Sequence, residues 1–299
     1  GLMAWSRDSQ RIALAQNVRA QAESANTISR ENGVRYEDLG FRAQARDATG
    51  MTSSTITVLD VSKPGALKRY PLTGELHALE WGNADDLYFV AQPMWNTGGE
   101  KPATVVRVLQ HGEQREVFRV GGVMQGIGPT ISPDGRWMAL VCDIDSQLWD
   151  DFNSLLVVDL ASGKHRRLTL DKYVVGKSAR WAPDSRSIYF MVRDGGWSQV
   201  YGADLDGKTM AVTETPTYKR DAQLSPNGQL LAYTSVNGLG VTDLRVVDIQ
   251  SRRDTRIALL DDPGVRYRLG RFERVKFPTP DALNIAGWII YPPDFDPAK

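Results

Sequence analysis

One turn recurs along this chain. AWSRDSQRIALA from Ala4, TISPDGRWMALV from Thr130, RWAPDSRSIYFM from Arg180 and QLSPNGQLLAYT from Gln223 share a layout, and EWGNADDLYFVA from Glu80 is a weaker copy. A large apolar residue leads each: Trp5, Trp81, Ile131, Trp181 and Leu224. In the four strong copies Asp or Asn stands three residues later, then a polar turn, then an apolar run. In Ser132-Pro133-Asp134-Gly135, Ser suits position i of a type I turn, Pro presets φ at i+1, Asp tolerates i+2 and Gly suits i+3. A tight turn between two short apolar stretches predicts a β-hairpin. The strand after the turn does not alternate: Leu87 to Ala91, Trp137 to Cys142 and Ile188 to Val192 are apolar nearly throughout. Such strands are covered on both faces.

A second element lies between the copies. TITVLDVSKPG, LLVVDLASGKH, VYGADLDGKT and LRVVDIQSRRD each run from a β-branched strand through an aspartate into a turn, at Asp60, Asp159, Asp204 and Asp248. The degenerate VVRVLQHGEQ puts Leu109 in the same place, and the five positions are 44 to 50 residues apart. Periods of that length with about four strands each predict the blades of a β-propeller, which cover one another's faces by stacking. Asp8 and the Asn83 region are about 75 residues apart, too far for one blade. The excess falls in residues 16–54, polar and rich in Ala, Arg and Glu, and reads as an insertion with some helix. The expected fold is all-β: a propeller of four-stranded blades over residues 1–271, five to six blades visible and seven in the complete ring. The first copy begins at Trp5, which reads as an N-terminally incomplete blade. With Gly1 in place of Met, the chain reads as an internal piece of a longer protein.

Composition narrows the function classes. Lys plus Arg equals Asp plus Glu at 36 each, so no net field favours nucleic acid or an anionic membrane. No apolar run approaches the roughly 18 residues of a membrane span. Cys142 is the only cysteine, which excludes an intrachain disulfide and leaves the compartment, periplasm or cytoplasm, open. Self-association into a homo-oligomer is equally open.

Several motifs resemble chemistry. GADLDGKT, Gly202 to Thr209, fits the phosphate-loop pattern by letter. That loop must open a helix, whereas MAVTETPTY follows here with Pro216, and Asp204 and Asp206 would repel phosphate. No G-x-S-x-G elbow occurs, and His77, His111 and His165 sit in or beside polar turns and strands, so no catalytic residue is assigned. CDIDSQLWDD crowds Asp143, Asp145, Asp150 and Asp151, but Leu148 and Ser154 stand where a helix-loop-helix calcium loop needs Gly and Glu. It reads as a solvated loop, and neither metal nor cofactor is expected. The insertion carries mixed charges, and Arg35, Glu37, Asp38 and Arg42 are the candidate ligand contacts, against the reading of a salt-bridged solvated excursion. The leading tryptophans read as packing.

The tail, FERVKFPTPDALNIAGWIIYPPDFDPAK from Phe272 to Lys299, resembles the crossover segment of the prolyl oligopeptidase family of serine peptidases, in its acylaminoacyl-peptidase and dipeptidyl-peptidase-like branch. Glu273, Val275 and Phe277 match its E-x-V-x-F, and Gly287, Trp288, Pro292, Phe295, Asp296 and Pro297 match its G-W-x-x-x-P-x-x-F-D-P. Pro280-Asp281-Ala282-Leu283-Asn284 departs from the family's Asp-Gly turn. The resemblance implies that residues 272–299 lead to an α/β-hydrolase domain absent from this chain. That domain would carry the oxyanion segment, the G-x-S-x-G nucleophile and the histidine. The propeller would then cap the active site, admitting peptide substrates and excluding folded proteins. The competing reading is a free-standing propeller that binds protein partners, like Tol-system or WD-repeat scaffolds.

Overall fold

Each copy of the recurring turn joins consecutive, neighbouring strands in the structure, a computed structural model that describes residues 2–19, 52–63, 65–83, 85–92, 103–121, 127–142, 153–168, 173–174, 179–281 and 284–296. Ser132 N–H donates to Trp137 O at 2.8 Å and Gly135 N–H to Ser132 O at 2.9 Å. The Ser132 hydroxyl donates to Asp134 Oδ1 at 2.5 Å and accepts the Trp137 N–H at 2.9 Å. Asp134 Oδ1 also accepts the Arg136 N–H at 3.0 Å. Ser6, Asp8 and Arg11 repeat this arrangement, as do Ser225, Asn227 and Leu230. Asn227 can replace Asp because the turn needs only an acceptor oxygen there. The fourth turn residue is left-handed in the four strong copies, at φ 59° for Ser9, 76° for Gly135, 59° for Ser185 and 72° for Gly228.

The hairpins extend into sheets in which consecutive strands are neighbours. The first holds β1 (Leu2–Trp5), β2 (Arg11–Arg19), β3 (Thr52–Asp60) and β4 (Leu67–Thr73). The second holds β5 (Glu75–Trp81), β6 (Leu87–Gln92), β7 (Ala103–Gln110) and β8 (Glu113–Gly121), and the third β9 (Ile127–Ile131), β10 (Trp137–Cys142), β11 (Ser154–Asp159) and β12 (His165–Arg167). In the fourth, β13 (Tyr173–Val174) and β14 (Arg180–Trp181) both pair with β15 (Ser187–Asp194), followed by β16 (Trp197–Asp204) and β17 (Thr209–Ala211). The fifth holds β18 (Tyr218–Leu224), β19 (Leu230–Val236), β20 (Thr242–Asp248) and β21 (Asp254–Asp261). A last hairpin joins β22 (Phe272–Pro278) to β23 (Asn284–Ile290). Five such up-and-down sheets are blades of a β-propeller, as the repeat predicts. Among the described residues no helix is long and apolar enough to cross a membrane.

The recurrent aspartates end the third strand of four sheets and cap the turn that follows. Asp60 Oδ1 accepts the Ser62 N–H and hydroxyl, Asp159 Oδ1 the N–H groups of Ala161 and Ser162, Asp204 Oδ1 those of Asp206 and Lys208, and Asp248 Oδ1 the Ser251 N–H and hydroxyl. These bonds hold the carboxyls of Asp60, Asp159 and Asp248 below the usual range. The second sheet solves the same turn differently. Gln110 pairs with Glu113 across two residues, His111 at φ 51° and Gly112 at φ 90°, which is the two-residue primed turn of a tight hairpin.

The chain divides into two compact units, residues 1–151 with 156–166, and residues 152–155 with 167–299. In the first unit one core packs Ile56, Leu72, Trp81, Leu87 and Phe89 between the first two sheets, and another packs Val90, Val106, Phe118, Met138, Leu140 and Leu156 between the second and third. Burial on both faces of β10 bears out the expectation from its unbroken apolar run. Arg7 ties the turns of three sheets together: its guanidinium donates to Asn83 Oδ1 at 2.7 Å and to the carbonyls of Ile131, Ser132 and Pro133 at 2.7 to 2.9 Å. In the second unit Met191, Val200, Val212, Leu231, Tyr233 and Val247 fill the space between the fourth and fifth sheets.

Three expectations are corrected. Residues 16–19 and 52–54 are not insertion, because β2 and β3 pair continuously from Arg11 with Asp60 to Arg19 with Thr52. The polar residues that obscured these strands are bonded. Asn17 Oδ1 accepts the Leu76 N–H at 3.0 Å and the Ser54 hydroxyl at 2.7 Å. The remainder of the insertion lies outside the described residues. Trp81 and Trp181 are packed as expected, but Trp5, on the edge strand β1, is 52% exposed. His77 lies inside β5, at a register shift between Leu76 and Ala78, and not ahead of the strand.

Candidate functional site

In every sheet the first and third turns share one end, and the connection between the second and third strands lies at the other. In the first three sheets these connections are residues 20–51, 93–102 and 143–152. Arg35, Glu37, Asp38 and Arg42, with Asp143, Asp145, Asp150 and Asp151, therefore lie outside the described residues. What is fixed is where their connections start and end. In the fourth and fifth sheets the corresponding connections are short: Gly195-Gly196, and Asn237 to Val241, where the Val241 N–H donates to Asn237 Oδ1 at 3.0 Å.

On these two short turns, within the second unit, the last hairpin is seated. Arg274 pairs with Trp288 across β22 and β23, and Phe272 with Ile290. The Trp288 indole lies where a Cβ on Gly196 would be, and Gly196 itself has φ 89°, so only glycine fits there. A Cβ on Gly195 would lie 2.5 Å from the Arg274 guanidinium, and one on Gly238 2.7 Å from the Phe272 ring. Trp197 meets both rings edge-on, at 5.6 Å from Trp288 and 6.0 Å from Phe272. Gly196, Trp197, Gly238, Phe272, Trp288 and Ile290 wall an open cavity of about 240 Å³. The sequence signal for it is the paired glycine in RDGGW.

A second concave surface, in the first unit, lies at the Arg11–Asp60 end of the β2–β3 ladder. It is a cleft of about 790 Å³ between the first and second sheets, floored by Val58, Leu87 and Leu109 and rimmed by Asp60, Lys63 and Lys68. Arg11 pairs with Asp85 and stacks 4.9 Å above Trp81 on one wall. Arg11 and Asp60 are one end of the β2–β3 ladder whose other end is Arg19 and Thr52, roughly 27 Å away at about 3.4 Å per residue.

The second unit also buries a polar network. Lys219 is 1% exposed, and its ammonium donates to Thr215 O at 2.7 Å and Ser198 O at 3.2 Å. Asp254 accepts Tyr233 Oη at 2.5 Å, Thr215 Oγ1 at 2.9 Å and Arg245 Nε at 3.0 Å. Burial pushes the Lys219 ammonium down to about 8, and burial with the neighbouring Asp254 pushes the Tyr233 phenol up. Each polar group is satisfied, which makes this network a brace between the fourth and fifth sheets.

The phosphate-loop match is a hairpin. Gly202 pairs with Met210 and Ala203 with Thr209 across β16 and β17, and no helix follows. His111 occupies a turn, and His165 lies edge-on to Phe118 at 5.1 Å on the surface of the first unit. Among the described residues no cluster of three or more His, Cys, Asp or Glu is arranged to hold a metal ion.

Comparison with known proteins agrees with this architecture. The family described as TolB beta propeller domain matches residues 95–260. Dipeptidyl-peptidase 5 of Porphyromonas gingivalis is 29% identical over 176 residues, covering 57% of this chain and 25% of that protein. The acylaminoacyl peptidase of Pyrococcus horikoshii superposes over 100% of this chain and 44% of its own, with TM-score 0.71 at 14% identity. The structure of a putative TolB from Agrobacterium tumefaciens superposes over 97% of this chain and 89% of its own, with TM-score 0.52 at 14% identity. The chain thus spans under half the length of the two peptidases it matches, and its likeness to the propeller regions of such peptidases is borne out.

Proposed function

This chain belongs to the TolB beta propeller domain family, and from that premise we propose that it is the non-catalytic propeller region of a serine peptidase of the prolyl oligopeptidase family. In this reading it gates and positions peptide substrates for an α/β-hydrolase domain outside the 299 residues. The observation that carries the reading is the hairpin of β22 and β23. It holds the residues of the peptidase resemblance, Glu273, Val275, Phe277, Gly287 and Trp288, and it is seated on the turns of two blades through Trp288 and Phe272. A crossover strand pair anchored this way sets where a following domain would start. The 29% identity to a dipeptidyl peptidase supports the same assignment. The insertion residues Arg35, Glu37, Asp38 and Arg42 stay in this proposal as the substrate contacts.

A second reading, a free-standing scaffold for protein partners, is favoured by the match to the A. tumefaciens protein, of which the chain covers 89%. Fluorophosphonate labelling of the natural protein, followed by peptide mapping, separates the two. The peptidase reading expects one labelled serine outside residues 1–299. It also expects this chain alone to leave dipeptidyl and acylaminoacyl anilides intact. A labelled serine within these residues, or a natural protein that ends at Lys299 and takes no label, overturns it. Alanine at the four insertion residues should reduce turnover of short peptides by the natural protein, and unchanged turnover removes them from the site.

A further inference from the structure

Two turns of the fifth sheet carry an asparagine followed by glycine, Asn227-Gly228 between β18 and β19 and Asn237-Gly238 between β19 and β20. With no side chain on the glycine, its main-chain nitrogen can reach the asparagine side-chain carbonyl, an intramolecular attack favoured by proximity. The two turns present this chemistry differently. Gly228 N–H donates to Ser225 O at 2.8 Å, and the Asn227 amide Nδ2 donates to Gln229 Oε1 at 2.9 Å. There the attacking nitrogen and the leaving amide are both tied. Neither Gly238 N–H nor Asn237 Nδ2 has a hydrogen-bond partner among the described residues. The carbonyl oxygens, by contrast, are alike. Asn237 Oδ1 accepts the N–H groups of Leu239 at 2.9 Å and Val241 at 3.0 Å, and Asn227 Oδ1 accepts the Ser225 hydroxyl at 2.7 Å and the Gln229 N–H at 3.1 Å.

We infer that Asn237 is a site of spontaneous deamidation, spared at Asn227, and that its isoaspartate product releases the last hairpin from the fifth sheet. Gly238 N gives its proton to water and bonds to Asn237 Cγ. The negative charge that forms rests on Oδ1, where the Leu239 and Val241 N–H groups already point. Collapse breaks the Cγ–Nδ2 bond, and the nitrogen leaves as ammonia with the proton returned from water. The product is a succinimide ring. Water then opens it, at Cγ to give aspartate or at the main-chain carbonyl carbon to give isoaspartate. Nothing is oxidised or reduced, and water is the only co-reactant.

The two products differ in what they do to the turn. Aspartate keeps the main chain and an acceptor oxygen for Leu239 and Val241, as Asp134 does for Arg136 in its own turn. Isoaspartate threads Cβ into the main chain and lengthens the turn by one atom. Gly238 is packed so closely on Phe272 that a Cβ there would lie 2.7 Å from the ring. Lengthening the chain immediately before Gly238 moves it off Phe272, one of the two close approaches that seat the hairpin of β22 and β23. The inference stands on the second unit alone and does not depend on the peptidase reading.

Ageing the full chain in warm, mildly alkaline buffer tests it, with peptide mapping by mass spectrometry and enzymatic methylation to mark isoaspartate. In the folded chain conversion at Asn237 is expected at least fivefold faster than at Asn227. In chain unfolded by urea the two sites should convert at the same rate, because only the fold distinguishes them. Gln229→Ala, at an exposed position, frees the Asn227 amide while Gly228 N–H stays bonded, and Asn227 should remain the slower site. Tryptic cleavage at Arg271 and Arg274 reads the hairpin. The isoaspartate fraction should be cut at least fivefold faster than fresh chain, and Asn237→Asp, which carries the other product, should be cut like fresh chain. Conversion at Asn237 no faster than at Asn227 in the folded chain overturns the assignment of the site. Equal cleavage of the isoaspartate fraction and fresh chain overturns the release of the hairpin.

Discussion

Lys219 shows how much a single residue's chemistry depends on where the fold puts it. In the sequence it is one more lysine in a polar stretch, TPTYKRD, yet the fold buries it among carbonyls beside Tyr233. Burial, reinforced by the Arg245 charge, lowers it to about 8 from 10.5 in the unfolded chain. The unfolded state then binds the proton more tightly, so folding is penalised below pH 8 and the penalty lifts as pH rises from 8 to 10.5. Denaturant titrations are expected to show a rise of about 1–3 kcal/mol across that window that Lys219→Met lacks. Equal slopes for the two proteins would show that the lysine is not held in this state. Ser9 offers a second test at this scale. It holds φ 59°, as Ser185 does in another copy, in a turn where two further copies use Gly135 and Gly228. Ser9→Gly should stabilise by about 0.5–1 kcal/mol, read as a rise in Tm of about 1–3 °C.

Among the elements, the hairpin of β22 and β23 is the one whose seat matters. Its strands carry Phe277, Ile285, Ile289 and Ile290 to the surface, so its own apolar face is far from fully buried. What anchors it is the pair of close approaches at Gly196 and Gly238. Gly196→Ala puts a methyl group where the Trp288 indole lies, at a φ that disfavours any side chain. A loss of about 2–4 kcal/mol from the second unit is expected, with collapse of the near-ultraviolet circular dichroism of the Trp197–Trp288 pair. An unaltered spectrum would mean the hairpin is held elsewhere. The blade turns behave differently: their bonds run between residues two to five apart, so each closes from its own sequence.

For the molecule as a whole, the balance of 36 basic against 36 acidic residues sets colloidal behaviour more than fold. With no net charge near pH 7, solubility should pass through a minimum there and recover by about pH 5 and pH 9, checked by precipitation with polyethylene glycol. The apolar residues of β21 sharpen this expectation. Ile257, Leu259 and Leu260 are each more than half exposed on the edge strand of the fifth sheet, and such an edge promotes association.

The blades themselves were legible in the sequence, and the reason is locality. Ser, Asp and Gly close a hairpin through bonds inside six residues, and an aspartate at the end of a third strand caps the next turn without help from the rest of the chain. A repeat of such units at 44 to 50 residues leaves few folds but a propeller. The tertiary structure decided everything that rests on distant partners. Arg7 reaches carbonyls 124 to 126 residues away, and no local pattern announces it. Trp5 and Trp81 lead similar turns, yet one is half exposed and the other buried, because burial is a property of the neighbouring sheet. The slot beside Trp197 belongs to the same class. Gly195 and Gly196 meet Arg274 and Trp288 only after the chain has run through another blade.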